Sequence, residues 1–131
     1  MRRLTLTPLL LLLLTAGCDT DGAYAQADYE REVDDAVAAL DAALGRRATA
    51  ESACRVLPVG EKACGGPRFF RPYSATDTDS AEVERLAERV AEIDRKAIRE
   101  LGLASDCQEE IPPAVVLEEG QCRFETSTVV N

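Results

Sequence analysis

The residues best suited to chemistry in this 131-residue chain are its five cysteines, because histidine is absent altogether. Without an imidazole there is no Ser-His or Cys-His activation of a nucleophile, and the commonest transition-metal ligand is missing. Cys54, Cys64, Cys107 and Cys122 are widely spaced. A zinc site needs thiolates in tetrahedral reach, often from a Cys-x2-4-Cys knuckle, and no such spacing occurs. A redox pair usually shows Cys-x-x-Cys, which is also missing. The four therefore read as two structural disulfides. Among the three pairings four cysteines allow, proximity in sequence favours Cys54–Cys64 and Cys107–Cys122.

The other candidates are acidic or basic clusters. Glu109-Glu110 and Glu118-Glu119 read as solvated pairs, and a hydrolase using only carboxylates would need them to converge across a cleft. Asp77-Thr78-Asp79 with Glu82 lacks the glycine turn and the spacing of a calcium loop. Acidic residues at a helix start are accounted for by capping and the helix dipole. Arg68-Phe69-Phe70-Arg71-Pro72-Tyr73 is the one basic, aromatic-rich patch. As a strand it would place one Phe in the core and leave both Arg in water. As a partner contact, Arg55, Arg68, Phe69, Phe70 and Arg71 would supply the side chains favoured at binding hot spots. No metal or cofactor is expected.

The fifth cysteine belongs to a different context. Arg2 and Arg3 precede an apolar stretch from Leu4 to Gly17 centred on the unbroken run Leu9 to Leu14. A bilayer-spanning helix needs about 20 apolar residues, so this stretch fits a secretory signal better. The junction Leu14-Thr15-Ala16-Gly17-Cys18 resembles the bacterial lipobox, with Thr15 where Leu is commonest. That resemblance implies a bacterial lipoprotein: residues 1–17 are removed and Cys18 becomes the lipid-modified N-terminus. Setting Cys18 aside also leaves an even number of cysteines for pairing. Two or more acyl chains, at about 0.8 kcal/mol per buried methylene, would anchor the chain to a membrane without spanning it. Residues 18–27 show no apolar period and read as a tether. Asp19 directly after the cysteine resembles lipoproteins retained in the inner membrane of enteric bacteria. Export would place the domain in the periplasm or at the cell surface, where disulfides form.

Charge narrows the partners. Loss of Arg2 and Arg3 with the signal leaves thirteen basic residues against 24 acidic ones, a net charge of about −11. Nucleic-acid binding needs a basic footprint, so it is not expected. Docking on anionic lipid by charge is disfavoured too; the acidity suits solubility or a cationic partner.

Two helices must position whatever site exists. Tyr29, Val33, Ala36, Val37, Leu40 and Leu44 recur at helical spacing, predicting a helix over about 28–44 with Gly45 as its stop. Val83, Leu86, Ala87, Val90, Ile93, Ala97, Ile98 and Leu101 predict a longer one over 80–101, started by an Asp79…Glu82 capping box and ended by Gly102. The face with Val83, Leu86, Val90 and Ile93 should be buried. Thr49 to Arg55 is ambiguous. The Pro and Gly residues between Val56 and Ser74 exclude a long helix there, and Arg68–Arg71 is its best strand, ending at Pro72. After Pro112-Pro113, Ala114–Leu117 and Cys122–Phe124 read as strands around a Glu118–Gln121 turn.

The cysteine context carries a second resemblance. Cys54, Gly60–Pro67, Tyr73-Ser74, the second helix, Ser105-Asp106-Cys107 and Gly120-Gln121-Cys122 resemble small exported bacterial proteins of no established function. The likeness covers residues 54–122, supports paired cysteines and implies no activity. Taken together, the expectation is a single small α+β domain over 28–131, two amphipathic helices packed with short strands and stapled by two disulfides. The functional expectation is a non-enzymatic module, tethered to the envelope, that binds or supports another envelope protein. The alternative is an inhibitor of an exported hydrolase presenting the loop Arg55–Ala63.

Overall fold

The computed structural model describes residues 23–126, so the signal, the Cys18 lipobox and the first half of the tether, residues 18–22, lie outside the described residues. Helix α1 spans Gln26–Ala43 and α2 spans Ser80–Leu101. They run antiparallel. Tyr29 near the start of α1 meets Asp94 late in α2, while Gly45 just past α1 meets Thr78 just before α2. Val33 and Leu40 of α1 and Leu44 just past it enter one core with Val83, Ala87, Val90 and Ile93 of α2. The apolar stripes of both helices are thus their buried faces, with Leu86 half-buried at the margin. Asp79 caps α2 by accepting from the Ala81 and Glu82 amides. Only half of the expected capping box forms, because the Glu82 carboxylate turns to Arg85 at 2.7 Å.

The other elements form two small antiparallel hairpins. Strand β1 (Cys54–Val59) follows a single 3-10 turn at Glu51–Ala53 and pairs with β2 (Phe69–Ser74). The sequence pattern predicted neither β1 nor the continuation of β2 through Pro72. Both prolines fit because of where they fall in the ladder. The Ser74 amide bonds Gly45 O, outside the ladder, and antiparallel positions alternate between paired and unpaired backbone groups. Pro72 and Pro58, two and four rungs further on, occupy the same class of position, where a missing N–H costs nothing. The second hairpin is β3 (Val115–Glu118) and β4 (Gln121–Phe124). Its two-residue turn, Glu119-Gly120, has φ of 50° and 73°, the left-handed pair that a tight hairpin twist requires.

Alternation along the first hairpin assigns its two faces. Leu57, Val59, Phe69 and Tyr73 point to the helical core. Cys54, Val56, Pro58, Phe70, Pro72 and Ser74 share the opposite face. The second hairpin covers the Cys54 end of that face, tied in by Arg46 and Ala48 backbone bonds to Cys122 and Gly120. The fold is therefore α+β, two packed helices with short strands and two disulfides, as the residue pattern predicts.

The pairing of the cysteines is not the expected one. Cys54 bonds Cys122 and Cys64 bonds Cys107, with Cα separations of 5.4 and 5.2 Å. Cys54–Cys64 is excluded by β1 itself, and Cys107–Cys122 by the engagement of Cys122 with Cys54. Six extended residues carry the chain roughly 20 Å, whereas linked Cα atoms lie within about 7 Å. Cys54 and Cys64 thus sit at opposite ends of the hairpin. Two disulfides mark an oxidising, non-cytoplasmic compartment. No described helix is long and apolar enough to cross a membrane.

These staples close separations of 68 and 43 residues, worth roughly 4 kcal/mol each on the chain-entropy estimate. Non-reducing peptide mapping should recover Cys54 with Cys122 and Cys64 with Cys107. Replacing Cys54 and Cys122 together by Ala should lower the urea-unfolding free energy by up to about 4 kcal/mol. A peptide joining Cys54 to Cys64 would contradict this topology.

Candidate functional site

The side chains with unusual surroundings gather where the tip of the first hairpin meets α2. Asp94 is 1% exposed and occupies the apolar stripe of α2 between Val90 and Ala97. A bare carboxylate there would be strongly unfavourable, and three donors satisfy it. Tyr29 Oη of α1 donates to Oδ1 at 2.9 Å, and Arg68 Nη1 donates to the same oxygen at 2.5 Å. The Glu61 amide donates to Oδ2 at 2.8 Å. Arg68 also donates to Tyr29 Oη at 2.7 Å, which closes the network. Gly60 lets the backbone approach: its φ is +74°, and a Cβ there would lie 2.5 Å from Asp94 Oδ2. The Glu61 side chain is held by Arg95 of α2 at 2.7 Å.

Burial, then the hydrogen bond to Asp94, pushes the Tyr29 hydroxyl up to about 12. The phenol stays protonated at neutral pH and serves as a donor. No buried side-chain nitrogen or oxygen among the described residues lacks a partner. This arrangement is suited to positioning the hairpin tip rather than to moving protons. Among the described residues no group of three or more His, Cys, Asp or Glu could hold a metal ion.

Two cavities flank Lys62. The smaller, about 220 Å³, lies over the Tyr29–Arg68–Asp94 network against Ile98 and Leu103. The larger is an open groove of about 490 Å³. Pro58, Pro67 and Phe70 give it an apolar floor, the Cys64–Cys107 disulfide forms one edge, and Glu109 and Glu110 line its rim. It lies on the hairpin face that the second hairpin leaves uncovered.

The five candidate contact residues are thereby separated. Arg55 is exposed but folds back on its own chain, donating to Ser52 O and Cys54 O at 2.6 and 2.8 Å. Phe69 packs on the core with the Arg71 guanidinium 4.5 Å above its ring. Arg71 is bound at both ends of its fork by Asp41 of α1, at 2.7 and 3.2 Å. Arg68 belongs to Asp94. Neither Arg68 nor Arg71 extends freely into water; their side chains are 31% and 30% exposed. Phe70 alone of the five lines the groove. The loop Arg55–Ala63 is mostly strand β1, and Cys54 does not close it. Asp79 and Glu82 are taken up by capping and by Arg85.

Sequence reasoning placed Tyr29 only in the α1 stripe and Glu61 and Lys62 only within the loop Arg55–Ala63, and did not single out Asp94. A signal existed for Asp94, since an acid on an apolar stripe demands a partner. Compared with known protein families, curated proteins and solved structures, the chain matches none.

Two outcomes follow from this geometry. Arg68→Ala leaves a buried carboxylate without its cation and should cost about 3–5 kcal/mol in urea unfolding. Arg71→Ala breaks a half-exposed pair and should cost about 1 kcal/mol or less; equal effects would refute the network. Because the folded state raises the Tyr29 hydroxyl above its ordinary value of 10.0 to about 12, Tyr29 contributes stability fully present below pH 10 and lost as pH rises to 12. Tyr29→Phe should remove that loss between pH 10 and 12 in thermal melts, and an unchanged alkaline limb would contradict it.

Proposed function

We propose that this protein is a cell-envelope lipoprotein, anchored through lipid on Cys18, whose domain binds or supports another envelope component without catalysis. One observation supports the anchoring most directly. The four cysteines of the described domain are consumed in two pairs, which leaves Cys18 as the remaining cysteine. An oxidising compartment agrees with an export signal. Because α1 already begins at Gln26, the seven residues Asp19 to Ala25 would hold the domain within roughly 25 Å of the bilayer.

The binding half of the reading rests on the groove beside Phe70. It offers an apolar floor on a rigid hairpin, and preorganised surfaces lose less entropy on binding. The contact is thus proposed at Phe70, Pro58 and Pro67 rather than at Arg68 and Arg71, whose charges are already committed. The inhibitor reading shifts with it, from Arg55–Ala63 to the exposed hairpin tip Ala63–Gly66 held by Cys64–Cys107. Inhibition of an exported hydrolase by the purified domain would favour that second reading.

The anchoring is tested in the host. Wild-type protein should partition into detergent, and its N-terminal peptide should carry a lipid mass on Cys18. Cys18→Ser should abolish both. Unmodified wild-type protein in the soluble fraction, cut elsewhere, would overturn the assignment.

A further inference from the structure

The two disulfides occupy opposite environments. Cys54 and Cys122 are buried, at 5% and 0% exposure, between the two hairpins. Cys64 and Cys107 are both exposed. What the exposed pair holds is equally distinct. Residues 102–114, between α2 and β3, have no regular secondary structure, and none of them is buried. None belongs to the hydrophobic core or packs against it.

This arm is attached to the hairpin tip through two residues only, among the described residues. Lys62 donates to Gln108 O and forms ion pairs with Glu110 at 3.3 Å and Asp106 at 3.7 Å. The Cys64 amide donates to Ser105 Oγ at 3.3 Å, and Cys64 is bonded to Cys107. The arm's other ends are secured elsewhere. Helix α2 lies in the core, and β3 is held by its pairing with β4, which the buried disulfide ties to β1.

We propose that Cys64–Cys107 is a site of thiol–disulfide exchange with a dithiol in the surrounding medium. Exchange releases the 102–114 arm while the rest of the domain stays folded. A thiolate of the dithiol attacks one sulfur of the pair, forms a mixed disulfide and expels the other cysteine as a thiolate. The second thiol of the reagent then attacks the reagent sulfur of the mixed disulfide and expels the remaining protein cysteine as a thiolate, and the reagent leaves as its own disulfide. Two electrons and two protons pass from the dithiol to Cys64 and Cys107. Access favours this pair, because the attacking sulfur must reach the bond and the Cys54–Cys122 bond is enclosed.

Release of the arm would alter both cavities. Leu103, Ala104 and Ser105 wall the smaller one, while Cys107, Gln108 and Glu110 wall the groove. The oxidised state therefore has a walled groove and the reduced state an open one. The inference does not depend on what the groove binds.

The test uses oxidised full-length protein and dithiothreitol as the dithiol. Samples reduced for increasing times are alkylated and mapped by mass spectrometry, with circular dichroism recorded in parallel. Cys64 and Cys107 should become alkylated roughly tenfold or more faster than Cys54 and Cys122, with the helical signal unchanged. Hydrogen exchange should then rise at 102–114 and at the hairpin tip, and remain low in α1 and α2. A Cys64→Ser/Cys107→Ser variant should show the same exchange pattern with no reductant present. Equal rates at all four cysteines, loss of helical signal on opening the exposed pair, or unchanged exchange in the arm of the double variant would each overturn the proposal.

Discussion

The carboxylate of Asp94, 1% exposed within α2, has to be neutralised where it lies, since taking an ion out of water costs several kcal/mol even after relaxation. Arg68 supplies the opposite charge, and Tyr29 and the Glu61 amide supply the remaining donors. These partners come from α1 and from both sides of the hairpin tip. One buried group thus fixes how the first hairpin crosses the helix pair. Gly60 follows from the same constraint, because any side chain there would meet the Asp94 carboxylate. An apolar residue at position 94 could fill the space, but would leave the hairpin tip seated on α2 by the half-exposed Glu61–Arg95 pair without its buried anchor.

The remaining architecture answers a shortage of core. With three Phe, three Tyr and no Trp, the interior depends on Val, Leu, Ile and Ala from the two helices and β1. Isolated two-stranded hairpins are marginal in water, so each needs support from outside itself. The first rests on the helices. The second is joined to the first by the buried Cys54–Cys122 bond and by a strip of backbone bonds from Arg46 and Ala48. The groove is what remains of the first hairpin's outer face after this coverage, bordered by an arm that the core does not hold.

How much of this was legible follows the range of each interaction. Helical periodicity is local and repeated, so both helices and the buried face of α2 could be read from spacing. The Glu119-Gly120 turn is equally local. Strand β1 was hidden because Pro58 is disfavoured in strands in general but tolerated at an outward ladder position, which depends on register. Disulfide pairing was hidden for a related reason: sequence proximity ignores the length of an extended strand, and β1 separates Cys54 from Cys64. Arg68 and Arg71 looked like solvated charges because their partners, Asp94 and Asp41, lie on other elements. The site was thus legible only in part: Phe70 was named as one of five candidate contacts, while the groove it lines and the Asp94 network went unread.

A closed polar network and an uncovered apolar groove suit a domain that holds a shape for another molecule, as the proposed tethering would require. That view depends on Asp94 and Arg68 acting as one unit. A double-mutant cycle with Asp94→Leu and Arg68→Met, followed by urea unfolding, measures this dependence most directly. The two substitutions should be strongly non-additive, with a coupling energy of about 2 kcal/mol or more and the double variant more stable than Arg68→Met alone. Additivity within about 0.5 kcal/mol would mean that the buried pair does not organise the fold.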